Sequence, residues 1–129
     1  MLTPVNPIGQ SIPPGMSQAM LVNGGTLLFL SGHVPVGPAG IVATDVETQL
    51  VQTFENIAAT LKAAGVDFSS VARLTTYIVD YHSGLLPLFR SVRDRYIDMR
   101  TPPASTLIGV AALAVPELLV EIEAIAVVP

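Results

Sequence analysis

Hydrophobic and polar positions recur along this chain with two periods, one that fits strands and one that fits helices. Ser17–Val22 and Thr26–Ser31 are apolar stretches separated by Asn23-Gly24-Gly25, residues that accept positive φ, and predict two strands of a hairpin. Ser31-Gly32-His33 then leads into Pro35, Gly37, Pro38 and Gly40, and so many backbone breakers predict a loop. Thr44 and Glu47 fit a capping box, beyond which Val46, Leu50, Phe54, Ile57 and Leu61 recur at spacings of three and four. They form one apolar face of a helix of about five turns, stopped by Gly65, with Gln49, Gln52, Glu55 and Lys62 on the wet side.

Val71–Val79, with its β-branched residues and Tyr77, predicts a strand. Leu85, Phe89, Val92, Tyr96 and Met99 share one face of a second helix; Pro87 is tolerated in its first turn, and Thr101-Pro102-Pro103 ends it. Thr106–Leu113 and Leu119–Val127 predict two closing strands joined around Pro116. The order is that of an α+β fold, in which two helices cover one face of a mixed sheet. Apolar residues lie on both sides of these strands, so the second face is expected to meet another subunit, a place where ligand sites commonly form.

Composition sharpens this expectation. The 129 residues suit a single domain over 1–129. Half are hydrophobic, only 12% are charged, and the mean hydropathy is +0.60. A domain of this size buries roughly two-thirds of its unfolded surface, so the apolar surplus predicts a homo-oligomer. Thr26–Leu30 falls far short of the roughly 20 apolar residues that span a bilayer, and Met1–Gln10 contains Pro4 and Pro7 but no basic residue. Neither a membrane partner nor a secretion signal is expected, which leaves the cytoplasm as the default compartment. Without cysteine there is no disulfide, thiolate nucleophile or cysteine zinc site. Six basic residues against ten acidic ones give a net charge of −4, which lacks the basic field a nucleic-acid partner requires.

The closing run VEIEAIAVV sets Val120, Ile122 and Ala124 on one side of a strand and Glu121, Glu123 and Ile125 on the other. Two carboxylates on that side are either a solvated face or, in a subunit cleft, groups whose pKa burial raises toward proton-transfer use. Glu121 is the lead candidate. His33, where a strand ends, is either a hydrogen-bonded loop histidine or a ligand contact, whereas His82 beside Ser83-Gly84 reads as a turn residue. No His and carboxylate set has metal-ligand spacing. Arg90 and Arg93, near Asp94, are expected on a solvated helix face. Arg100 is expected at the end of that helix, favoured there by the dipole, or else, adjacent to the turn into PPASTL, as a ligand contact.

Taken in order, LSGHVPV, QTFENIAATLKAAGVDFSSVARLTTYIVD, PPASTLIGVAAL and VEIEAIAV make the chain resemble the RidA (YjgF, endoribonuclease L-PSP) family from about Ser17 to Val128. The resemblance implies a chorismate-mutase-like α+β subunit and a homotrimer whose sheets form a central barrel, with ligand sites in the clefts between subunits. It implies hydrolysis of reactive enamines or imines to 2-oxo acids and ammonia, without metal or cofactor. In the family an arginine of a PARS motif holds the substrate carboxylate and a glutamate of the closing strand orients water. Those positions are Ser105 and Glu121 here, while a family tyrosine is replaced by Met16 and the glutamine of SGQ by His33.

Glu121 is therefore expected to position or deprotonate water and His33 to bind ligand or pass a proton near neutral pH. Met16, Ser31, Gly32, Ser105 and Thr106 are expected to line the ligand. A guanidinium offers a carboxylate two charge-assisted hydrogen bonds, worth on the order of 1.5–3 kcal/mol each, against one neutral bond from Ser105. An efficient 2-imino-acid deaminase is thus not expected. The readings left are a diverged hydrolase or deaminase of a small metabolite and a non-catalytic trimeric metabolite-binding protein. The family's ribonuclease label sits poorly with so acidic a chain.

Overall fold

The computed structural model describes residues 1–41 and 43–129. In chain order its elements are β1 (Leu2–Val5), β2 (Ala19–Val22), β3 (Thr26–His33), β4 (Val36–Gly37), β5 (Gly40–Ile41), α1 (Val46–Ala63), β6 (Val71–Val79), α2 (Leu86–Arg93), β7 (Ala104–Val110) and β8 (Val120–Val128). The main sheet runs β3-β8-β6-β7. β8 is antiparallel to both its neighbours, and β6 and β7 are parallel, joined by a crossover through α2. This is the α+β architecture with a mixed sheet and two helices on one face. Among the described residues no helix is long and apolar enough to cross a membrane.

The strand alternation decides where the helices pack. Val120, Ile122 and Ala124 of β8 and Leu74 and Ile78 of β6 are buried together with Leu50, Phe54, Ile57 and Leu61 of α1 and Phe89 and Val92 of α2. Phe54 is at the centre, fully buried, its ring stacked on Tyr96 at 4.9 Å and tilted against Phe68. Among the described residues no helix lies over the other sheet face, and Leu27 and Phe29 of β3 are 53% and 70% exposed there.

Three details differ from the pattern in the sequence. Asn23-Gly24-Gly25 does turn the chain, with both glycines at positive φ, but β2 pairs with β1 and β3 pairs with β8. Local hairpin pairing loses because β8 offers β3 a long register that carries Leu30 into the core. Helix α1 is capped by Asp45 rather than Thr44: its Oδ2 accepts the Thr48 N–H at 2.9 Å, and that backbone bond holds the Asp45 carboxyl below its ordinary range. α2 ends at Arg93, so Tyr96 reaches the core from a turn and Met99 is exposed.

Gln49, expected on the wet side, is fully buried. Its amide Nε2 donates to the carbonyls of Glu117 (2.9 Å) and Ala43 (3.2 Å), and its Oε1 accepts the Leu119 N–H at 2.8 Å. A side chain that satisfies three backbone groups is stable without water. It ties α1 to the start of β8.

Truncating the central ring should be expensive. Phe54→Ala is expected to destabilise the fold by about 3–5 kcal/mol, as a lowered denaturation midpoint in urea with little change in slope.

Candidate active site on a two-faced sheet

Glu121 projects from β8 away from the helices. The register sets Tyr77 beside Glu121, Thr75 beside Glu123 and Arg73 beside Ile125, so these side chains share the open face. Opposite, β3 and β8 slip in register between Leu30 and His33. That irregularity brings Gly32 against the Glu121 carboxylate so closely that a β-carbon at position 32 would collide with its Oε2 and carboxyl carbon. Gly32 is thus the seat on which the carboxylate rests.

His33 emerges on the opposite side. It pairs with Ile122, which faces the helices, and reaches α1, where its Nε2 lies 2.7 Å from Thr60 Oγ1 and its Nδ1 2.6 Å from the Ser31 carbonyl. A carbonyl only accepts, so Nδ1 donates to Ser31 O, while Nε2 shares a hydrogen bond with the Thr60 hydroxyl. Both ring nitrogens are engaged within the chain. His33 holds the Ser31–Gly32 irregularity in place, and through it the seat of Glu121.

Ser105 lies beside Leu74, which faces the helices, whereas Thr106 lies beside Thr75 on the open face and accepts from Arg73 Nη2 at 2.6 Å. Met16 is half-buried at the entrance to β7: the next residue, Ser17, donates its N–H to Pro103 O at 3.0 Å and its hydroxyl to Pro102 O at 2.5 Å. The sequence candidates thus fall into two groups. Glu121 and Gly32 meet on the open face; Met16 and Ser105 lie at the start of β7, Ser105 toward the helix layer. Within one copy of the chain the sheet separates Glu121 from Ser105.

Tyr77, Glu123, Arg73 and Arg93 were not singled out as site residues by the sequence. The Tyr77 hydroxyl donates to Glu123 Oε1 at 2.5 Å. This bond, desolvation and the negative charges of Glu123 and Glu121 raise the phenol above its ordinary value of 10.0, with Arg73 opposing. Beyond Arg73 a cavity of about 460 Å³ opens on this face, lined by Met20, Leu27, Phe29, Ala104 and Ile125 among others. Arg93 is not solvated as expected: only 5% of its side chain is exposed. Its place four residues after Phe89, on the apolar stripe, was the available signal. Arg100 is no helix cap, since α2 ends at Arg93; it is 89% exposed and closes on Asp98. Among the described residues no three metal-ligating side chains cluster.

The family model described as Endoribonuclease L-PSP matches residues 14–128. The chain belongs to the endoribonuclease L-PSP (RidA/YjgF) family. Among its relatives in this family, protein DfrA of Myxococcus xanthus is 41% identical over 113 residues, covering 86% of this chain and 83% of its own. The 2-iminobutanoate/2-iminopropanoate deaminase of Salmonella typhimurium is 34% identical, with 80% of each chain covered. A crystal structure of the Rid-family protein YyfB from Yersinia pestis, of unknown function, superposes with a TM-score of 0.93 at 33% identity over 98% of both chains.

The pairing of Tyr77 with Glu123 has a spectroscopic consequence. A phenol held neutral by carboxylates keeps its proton to higher pH, so ultraviolet titration should place Tyr77 ionisation above 10, identified by subtracting the Tyr77→Phe curve. Glu123→Gln should bring it back toward the ordinary value; no movement would show that the pair does not form in solution.

Proposed function

We propose that this chain acts as a trimer, the open sheet faces of three copies closing on a central barrel, and that each inter-subunit cleft hydrolyses a small enamine, imine or related metabolite. The observation that carries the reading is the two-sided placement of Glu121 and Ser105. A carboxylate seated on Gly32 on one face and a ligand-lining hydroxyl on the other serve one site only if two copies contribute to it. The exposed Leu27 and Phe29 supply apolar area for such an association.

In the reaction, water adds to the C=N carbon of the imine while the Glu121 carboxylate accepts its proton. The carboxylic acid returns that proton to the nitrogen to give a carbinolamine; the carboxylate then takes the carbinolamine hydroxyl proton and delivers it to the amino group as the C–N bond breaks and the C=O bond forms, so that ammonia and a carbonyl product leave. An enamine first takes a proton on carbon to become the imine. The role for Glu121 is supported by its match to the family glutamate and by its relative from Salmonella, named as a 2-iminobutanoate/2-iminopropanoate deaminase. His33, with both nitrogens bonded, supports the site by fixing the Gly32 seat. Ser105 in place of the family arginine favours a substrate less anionic than a 2-imino acid, or one held by other groups. The same substitution favours a second reading, a trimer that binds a metabolite in this cleft without turning it over.

Ammonia release from 2-aminoacrylate generated in situ separates the two. The hydrolase reading expects activity above background that falls by about 10²-fold or more in Glu121→Ala, and a gain of about 10-fold or more in Ser105→Arg from the added charge-assisted bonds. Saturable ligand binding with no turnover in either protein would establish the non-catalytic reading instead. Sedimentation equilibrium should give three times the chain mass, and Phe29→Glu on the open face should dissociate the assembly.

A further inference from the structure

The chain holds three asparagines, and the fold treats them differently. An asparagine loses its side-chain amide when the backbone nitrogen of the next residue attacks the side-chain carbonyl carbon. That nitrogen must carry a proton to give up, be unshielded, and be able to turn toward the side chain. Asn6 is followed by Pro7, which has no N–H, and its Oδ1 accepts the Gln18 N–H at 2.8 Å. Asn56 sits inside α1, where its Nδ2 donates to the carbonyls of Val34 (2.8 Å) and Val36 (2.9 Å) and its Oδ1 accepts from Gln52 at 2.8 Å. The residue after it is Ile57, β-branched and fully buried. Both are held away from the reacting geometry.

Asn23 has none of these restraints. It is exposed in the turn between β2 and β3, and among the described residues neither its side-chain amide nor the Gly24 N–H has a hydrogen-bond partner. Gly24 holds φ at +80°, where a side chain would be strained, and a β-carbon built there would meet no atom within 4 Å. The turn thus demands glycine, and glycine leaves the attacking nitrogen uncovered.

We propose that Asn23 is a site of spontaneous deamidation and isomerisation built into the β2–β3 turn. The Gly24 nitrogen gives its proton to hydroxide and bonds to Asn23 Cγ. The Cγ–Nδ2 bond breaks, Nδ2 takes a proton from water and leaves as ammonia, and a cyclic imide remains. Water then adds to either imide carbonyl and breaks its bond to the ring nitrogen, giving aspartate or isoaspartate at position 23. The isoaspartate form routes the main chain through the side chain and lengthens the backbone between β2 and β3 by one carbon. Two contacts flank that insertion. The Asn23 N–H donates to Met1 O at 2.8 Å, closing the β1–β2 pair, and Gly25 lies so close to Val127 that a β-carbon there would collide with its side chain. The lengthened turn cannot keep both in register. The β1–β2 pair is a two-stranded sheet of its own, the less stable partner, and is the part that gives way.

The test ages the purified full-length protein in mildly alkaline buffer. Cleavage after Lys62, the first lysine or arginine, leaves all three asparagines in one peptide. Electron-transfer fragmentation of that peptide assigns amide loss by position and separates isoaspartate from aspartate. Loss at Asn23 is expected at least about 10-fold faster than at Asn6 or Asn56, each of which must first open locally. Its rate should rise in proportion to hydroxide, and no loss should be seen at this position in Asn23→Gln. In the urea-unfolded chain Asn23 should react no more than about 10-fold faster than in the folded protein, since the fold leaves it open. Amide hydrogen exchange in the isoaspartate form should speed up about 10-fold or more in β1 and β2 and stay unchanged in β6 and β8. Fresh Asn23→Asp, with the new charge on a backbone of ordinary length, should exchange like the unaged protein. Asn23 reacting no faster than Asn56, protection by the fold of about 100-fold or more, or an isoaspartate form with unchanged exchange in β1 and β2 would overturn the proposal.

Discussion

The structure depends on the two-sidedness of β8. This strand lies between β3 and β6, and its period of two sends Val120, Ile122 and Ala124 under α1 while Glu121, Glu123 and Ile125 stay on the bare face. A slip of one residue would exchange the two sets, burying both carboxylates beneath Phe54 and exposing the core residues to water. The apolar seam between β8 and α1 therefore fixes the register of the main sheet. Gln49 adds a polar fixture at its edge, holding the segment that enters β8 against the helix.

From that register the chemistry follows by placement. Glu121 needs space for its carboxylate, and the chain provides it by breaking the β3 register at Gly32 and tying the break to α1 through His33 and Thr60. The side chain that looked most catalytic by type thus acts as a fastening, while the carboxylate it serves is left to meet solvent or a partner. Tyr77 and Glu123 extend the same face into a short polar row between apolar residues, and Arg73 closes it on the side of Thr106.

At the other end of the sheet, α2 and the segment before β2 are joined by one buried cation. Arg93 holds Pro14 and Gly15, and Ser17 holds the prolines before β7, so the helix, the N-terminal segment and the strand entrance form one unit. Gly15 is required there twice over, by its φ of +80° and by the guanidinium pressed against it. Substitution of either residue would loosen the neighbourhood of Ser105 without touching the core beneath Phe54.

The sequence by itself determined the periodic elements: the apolar stripe of α1, the strands β6 and β8, the α+β order, and the alternation that sets Glu121 apart from Ile122. These are local properties, because the chirality of the backbone fixes which residues share a face once the element is known. Its motifs also determined the family. Tertiary structure alone decided that β2 leaves β3 for β1, that Asp45 rather than Thr44 caps α1, and that α2 stops at Arg93 with Tyr96 still stacked on Phe54. It alone turned His33 inward, buried Gln49 and Arg93, and set Ser105 and Glu121 on opposite faces. Each of these outcomes is a competition between partners distant in the chain, settled by which arrangement satisfies the most buried polar groups and covers the most apolar surface, and no local window of sequence contains both competitors.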